Sequence, residues 1–294
     1  MKAVKNSSLT LMLTLILLFF IPGTGWSQHF FASLFAGGSN YSGDLQEKRF
    51  TLSQAHPAAG LGLLYEFGPH VLVQGEFAFG RISADDKLGK NAKRNLNFYS
   101  HLYEFSLKGE YMILDPYYWK VSPYVFAGVA VFDFAPYTDD AAGNPILLPE
   151  KSTEGQGFIE GRSEYKLRQL SIPFGGGFQW SISDNSRLGI FVGFRKTFTD
   201  YIDDVSTTYV DQTQLALAKG QVAANIAYRG DELPNGLPYP PAGTQRGNPK
   251  SLDWYYFTGL SYRVRLFGYS KRQLKTGWDG RYTGKKGQTG CPKF

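Results

Sequence analysis

Past residue 27 the chain has no apolar run near the ~20 residues a membrane helix needs, so nothing beyond that point crosses a bilayer as a helix. Cysteine is almost absent. Cys291 is the only one, which excludes an internal disulfide and a cysteine-held metal cluster. Histidine is scarce as well, and His29, His56, His70 and His101 show neither ligand nor triad spacing. Charged residues make up only 19% of the sequence, while 34 glycines and 16% aromatics stand in their place. That balance points away from a disordered or coiled-coil chain. It points toward β structure with close backbone approaches.

Residues 1–27 are a separate object. Lys2 and Lys5 form a positive start, an apolar run over 9–21 is broken only by Thr10 and Thr14, and Pro22-Gly23 ends it. Gly25-Trp26-Ser27 places small residues where a signal peptidase cuts, so the segment is a predicted secretory signal peptide. The run is short for an uncleaved membrane anchor.

Charge is unevenly placed. Without Lys2 and Lys5 the chain has 29 basic against 25 acidic residues. Residues 268–294 hold seven of the basic ones (Lys271, Arg272, Lys275, Arg281, Lys285, Lys286, Lys293) against Asp279 alone, so the body before them is slightly acidic. The basic excess therefore belongs to a tail and does not indicate a nucleic-acid-binding fold.

Between these ends the sequence reads as strands throughout. Period-2 alternation is clear over 99–111, 170–182, 187–198 and 254–266, and looser over 30–38, 58–67, 71–82 and 121–134. In 170–182 the apolar set is Leu170, Ile172, Phe174, Gly176, Phe178, Trp180 and Ile182, against Ser171, Pro173, Gly175, Gly177, Gln179 and Ser181. Across the eight segments the apolar sets carry almost no charge and place aromatics near their ends, such as Tyr99, Tyr111, Trp180, Trp254 and Tyr256. The opposite sets mix Gly and Ser with ions. A narrow polar lumen and aromatic membrane interfaces suit that division better than a soluble barrel, whose interior has little room for so many large rings.

The connections alternate long and short. The long ones cover 40–56, 84–96, 135–167 and 199–251. The short ones sit at Gly68-Pro69, around Asp115-Pro116, and at Ser183-Asp184-Asn185. Short periplasmic turns and long extracellular loops are the rhythm of membrane barrels. The expectation is an all-β fold, an eight-stranded antiparallel transmembrane β-barrel over 28–267, with strands of roughly 9–15 residues. It is expected in a Gram-negative outer membrane with both termini in the periplasm.

A barrel of this size is just wide enough for side chains to fill it. Glu66, Glu76, Glu104 and Glu110 are expected to pair inside it with Lys108, Arg187, Arg195, Arg263 and Arg265, because buried charges must be matched. A polar conduit is the alternative. In the last long loop Asp200, Asp203, Asp204 and Asp211 offer carboxylates of the kind calcium takes, in no recognisable metal-loop spacing. Loop hydrogen bonding, with Asp200 or Asp203 pairing Arg195 near the rim, is favoured over a metal. Ser100 and His101 are adjacent on a strand and so face opposite sides, which argues against their acting as a lipid-modifying pair.

No catalytic residue, cofactor, metal or small-molecule substrate is evident. The tail reads as a disordered extension or as a docking segment, with Trp278, Arg281, Tyr282 and Cys291 as candidate partner contacts. Cys291, without an internal mate, is open to an intermolecular disulfide.

Three stretches resemble a family of outer-membrane barrels that includes the PorG component of the type IX secretion system. They are AGGSNYSGDL (36–45), FRKTFTDYIDDVSTTYVD (194–211) and RGNPKSLDWYYFTGLSYRV (246–264), and Cys291-Pro292 is similar to the family's terminal Cys-Pro. The loops are longer than that component's. The resemblance implies a non-enzymatic barrel in contact with outer-membrane lipid and with periplasmic secretion-complex subunits. The matching residues (Gly38, Asn40, Tyr41, Gly43, Asp44; Thr199, Asp200, Asp203, Asp204; Arg246, Gly247, Asn248, Pro249, Asp253, Trp254, Tyr255) fall at predicted loop–strand junctions and read as loop closure at the barrel mouth.

Overall fold

The computed structural model describes residues 29–46, 51, 53–140 and 142–266. The segment expected to be a signal peptide and the tail, with Trp278, Arg281, Tyr282 and Cys291, lie outside them. Alternation does produce the strands: β1 (Phe30–Ser42), β2 (His56–Glu66), β3 (Val71–Asp85), β4 (Asn97–Met112), β5 (Val121–Asp139), β7 (Arg168–Ser183), β8 (Ser186–Thr197) and β9 (Trp254–Arg265). Each pairs antiparallel with its neighbours, and pairing of β1 with β9 closes the sheet. β6 (Pro145–Leu147) is a short extra strand on the end of β5.

The strands run longer than alternation alone suggests, up to 19 residues in β5. The extra length lies at the long-loop end, where β3 continues to Asp85 and β5 to Asp139. The short turns are closed by their own polar side chains. Asp115 Oδ1 accepts the Tyr117 N–H at 2.8 Å, and Ser183 Oγ accepts the Asn185 and Ser186 N–H groups at 3.2 and 3.0 Å. Register puts Phe30 and Arg265, where β1 begins and β9 ends, at this short-turn end.

The two faces of the wall are sorted inside out. Leu61, Leu63, Phe105, Val129, Leu170 and Leu260 point outward and are 56–63% exposed. Glu66, Glu104, Arg187 and Arg195 point inward and are 0–3% exposed. Only a surrounding apolar medium makes that arrangement favourable, so the fold is a transmembrane β-barrel. Phe67, Tyr111, Tyr118 and Trp119 ring the short-turn end, where an aromatic interface belt belongs.

The chain is not strands throughout. Residues 212–227 form two short helices, α1 (Gln212–Lys219) and α2 (Gln221–Ala227). Ala, Leu, Gln and Lys favour a helix there, Asp211 caps the first through the Gln214 N–H at 2.9 Å, and Gly220 at φ +90° makes the joint. With the other long loops they build a folded cap over one mouth of the barrel. Leu215, Ala223, Ala224 and Ala227 form a small core of its own.

Candidate functional site

The lumen is sealed by layers. Near the short-turn end Phe31, Leu64, Leu72, Met112, Tyr124 and Phe126 pack together. Under the cap Phe35, Ile82, Leu102, Phe132, Tyr255 and Phe257 belong to a second apolar cluster that continues into the loops through Ile202 and Val205. The ions lie within and between these layers, in the low-dielectric setting that makes an unpaired charge costly.

The structure brings eight of the nine lumen ions together as four pairs. Arg187 meets Glu66 at 2.7 Å, Lys108 meets Glu76 at 2.6 Å, and Arg263 meets Glu110 at 2.8 Å. Arg195 forks onto Glu104 through Nε at 2.9 Å and Nη2 at 3.0 Å, and Tyr255 Oη donates to the same carboxylate at 2.7 Å. Three of these pairs span the lumen, joining β2 to β8, β4 to β8 and β4 to β9. Only Lys108–Glu76 joins adjacent strands.

Arg265 joins the set through a hydroxyl. It donates to Tyr117 Oη at 2.6 Å, and Tyr117 in turn hydrogen-bonds Glu66. Each cation also rests on an aromatic face. Arg187 and Arg265 each lie 4.6 Å from Phe31, Arg195 lies 4.4 Å from Phe257, Arg263 lies 5.2 Å from Tyr124, and Lys108 lies 5.2 Å from Phe126. The void beside Glu76, Lys108, Glu110 and Arg263 is about 20 Å³, room for about one water molecule.

The cap holds a second buried polar network, which sequence reading did not find as a unit. The residues that carry the family resemblance converge in it. Tyr41 Oη lies 2.7 Å from Asp203 Oδ2 and 2.6 Å from Asp253 Oδ1. Asp44 accepts the Asn248 N–H at 2.7 Å, and Arg246 donates to the Asp204 carbonyl at 2.5 Å and to Glu154 at 3.0 Å. Arg94 forks onto Asp86 at 2.6 and 2.7 Å and also donates to the Arg246 carbonyl. The glycines are required by closeness. A Cβ on Gly43 would stand 1.9 Å from Asp253 Oδ1, and one on Gly247 would stand 2.4 Å from Asp44 Oδ2.

One expectation for these loop acids needs correction. Neither Asp200 nor Asp203 pairs with Arg195, because Glu104 occupies that guanidinium from across the lumen. Asp203 instead accepts from Tyr41, from the Leu45 N–H and from the Val205 N–H. The four aspartates also do not converge. Asp211 caps α1, Asp204 accepts from Thr153 and Tyr165, and among the described residues no group of three His, Cys, Asp or Glu side chains is placed to hold a metal.

Proton counting then constrains the cap. One hydroxyl proton cannot serve both Asp203 and Asp253, so one of these carboxyls must carry a proton and donate it to Tyr41 Oη. Electrostatics agrees. Burial and the Asp44 carboxylate push Asp203 up to about 7, burial and the Asp203 charge hold Asp253 well above the ordinary carboxyl range, and burial pushes Asp200 up to about 8.

Beside this network a cleft of about 1040 Å³ opens between the β1, β3–β4 and last loops, lined among others by Lys93, Arg94, Tyr209, Tyr228, Asn248 and Trp254. Ser100 and His101 stand apart as expected of adjacent strand residues, Ser100 buried in the lumen and His101 exposed outside.

A closed barrel with an ion-paired, sealed lumen and a folded cap at one mouth defines the class: a small plugged transmembrane barrel. Within that class the chain belongs to a family described as a domain of unknown function, DUF6089, whose model matches residues 10–229. No curated protein matches the sequence. Similar solved structures include the Neisserial surface protein A (TM-score 0.40, 9% identity, covering 81% of this chain and 97% of that one). Ail of Yersinia pestis, in complex with the heparin analogue sucrose octasulfate, gives 0.37 and 13%, with coverage of 80% and 98%. OprG of Pseudomonas aeruginosa gives 0.36 and 13%, with coverage of 83% and 100%. No function passes to this chain at those values.

Proposed function

We propose that this protein is a non-enzymatic outer-membrane barrel that anchors periplasmic subunits of a type IX, gliding-type secretion machinery. The observation that carries the anchoring part is the plugged lumen. Four ion pairs and two apolar layers fill it, and the void among them is about 20 Å³, so the barrel serves as a fixed body in the bilayer and not as a conduit. In this reading the short turns and both termini face the periplasm, and the long loops face outward. β1 and β9 have their outer ends at the short-turn side, which supports delivery of the basic tail to a periplasmic partner. The assignment to type IX secretion is supported by the sequence resemblance alone.

The test is a crosslinking pull-down from outer membranes with the full chain and with a chain lacking residues 268–294. The expected result is loss of the secretion subunits on deletion, with the barrel still folded. Co-purification that survives the deletion overturns docking through the tail.

A second reading is a surface-binding barrel that works through the cap, and the 1040 Å³ cleft is the observation that favours it. The channel reading is tested by planar-bilayer recordings, where the anchor is expected to give no current steps.

A further inference from the structure

Among the described residues the outer wall carries two cations without an ion pair, the exposed Lys196 on β8 and the half-buried Arg81 on β3. Arg168 is answered by Asp133 at 2.7 and 3.0 Å on the same outward face. Arg81 has the same outward parity as Phe77 and Phe79 on β3, yet it makes no ion pair among the described residues. Its Nε is buried without a hydrogen-bond partner. The guanidinium is held all the same. Its carbon lies 4.5 Å from the Tyr99 ring centre and 5.8 Å from that of Tyr137. His101 is the cross-strand neighbour of Arg81 and stacks on Tyr137, centres 6.1 Å apart and planes 20° apart.

The height of this cluster is set by register. Phe77, Phe105, Val131 and Leu170 form one outward row, 40–61% exposed and wholly apolar. The next row toward the long loops is Phe79, Tyr103, Asp133 and Arg168, and its two charges answer each other. Arg81 and His101 stand one row beyond. Asp85 and Asp139, at the strand tips, are farther out again. The cluster therefore sits where the apolar wall ends, at the level of lipid headgroups, with hydrocarbon below it and acid above.

A lone cation facing hydrocarbon is costly, and a lone cation among headgroups meets phosphate. Guanidinium is the side chain best shaped for a phosphate, because its planar fork donates two parallel hydrogen bonds. The two tyrosine rings, packed on each other with centres 5.6 Å apart, support the guanidinium from one side before the ligand arrives, which lowers the ordering cost of binding. We propose that Arg81, packed against Tyr99 and Tyr137 beside His101, binds the phosphate of a lipid headgroup in the leaflet at the long-loop end. The inference rests on the membrane-barrel fold and is independent of the secretion partner.

The test uses the full chain, delipidated in detergent and titrated with lipid A carrying its phosphates, with the same lipid after dephosphorylation, and with inorganic phosphate. Retention is read by native mass spectrometry. Phosphorylated lipid A is expected to bind about tenfold more tightly than the dephosphorylated form, as loss of one charge-assisted contact implies. Arg81→Gln is expected to remove that difference, Arg81→Lys to restore part of it, and Arg168→Gln to leave it intact. Inorganic phosphate at matched concentration is not expected to compete, since the lipid's tails share in the binding.

Equal retention of both lipids by the unaltered chain overturns the proposal, and so does an Arg81→Gln protein that keeps the preference. Strong competition by inorganic phosphate would make the ligand a free anion and overturn the headgroup assignment. Arg81 is outward and unpaired, so the variant is expected to fold, and its heat-modifiable migration on a gel checks that directly. A chain that retained neither lipid would overturn the proposal as well, while loss of heat-modifiable migration in the unaltered chain would tell against the barrel on which it rests.

Discussion

The lumen and the cap both bury charge, but they balance it differently. Inside the barrel four carboxylates meet four cations directly, and a fifth cation is tied in through Tyr117. Among the described residues of the cap the buried carboxylates Asp86, Glu154, Asp200, Asp203, Asp204 and Asp253 face two buried guanidinium groups, Arg94 and Arg246. A closed wall has no solvent to absorb a mismatch, so strands must bring matching ions. A loop assembly at the water boundary can settle its excess with protons. The comparison teaches that the lumen is balanced ion for ion, while the cap holds more buried carboxyls than cations and makes up the difference with protons.

The largest expected effect tests the lumen. Glu104→Ala leaves Arg195 buried without its carboxylate, and the barrel should lose about 3–5 kcal/mol in urea unfolding from lipid vesicles. Exchange of the two charges, Glu104→Arg with Arg195→Glu, should recover part of that loss. If the single variant unfolds at the same urea concentration as the parent, the pair does not hold the walls together.

Next comes the hinge of the cap. Tyr41→Phe removes the hydroxyl between Asp203 and Asp253 and leaves two buried carboxyls facing each other. Loosening by about 1–3 kcal/mol is expected in the hydrogen exchange of residues 198–253, with β4 and β8 unchanged. Equal loosening of barrel and cap would dissolve the distinction.

The pH effect sharpens it further. Asp203 and Asp200 have values raised to about 7 and about 8, above the ~4 of a free carboxyl, so protonation stabilises the folded cap. That contribution is complete below the free-carboxyl range and is lost as pH rises through 7 and 8. Exchange in 198–253, corrected for the intrinsic rate, should therefore be faster at pH 9 than at pH 6. Asp203→Asn should flatten the difference, and a cap equally protected at both values would contradict it. The smallest effect belongs to the outer wall. Arg168→Gln breaks an exposed pair, and no measurable change in unfolding is expected.

Legibility in the sequence followed the same division. The eight strands, their outward apolar face and the nine inward ions could be read from period 2, because strand geometry fixes which residues share a side. Their partners could not. Glu104 and Arg195 are on strands that never touch, and nothing local relates positions 91 residues apart. Tyr117, in a short turn, gave no sign that it would tie Arg265 to Glu66. The cap was the least legible part. Tyr41, Asp203, Arg246 and Asp253 stood out as motif residues, but Glu154, Arg94 and Asp86 lay in loops without periodicity and carried no signal. The helices of 212–227 were hidden in the same way inside a long connection.

The sequence by itself determined that the wall would have an uncharged side and an ionic side, and that long and short connections would alternate. Both are local properties, set by the two-residue repeat and by turn chemistry. Only the tertiary structure decided which charge meets which, and that loops distant in the chain join above the barrel to share a proton. Those outcomes depend on closure of the sheet and on which loops end up side by side, and neither is encoded at any single position.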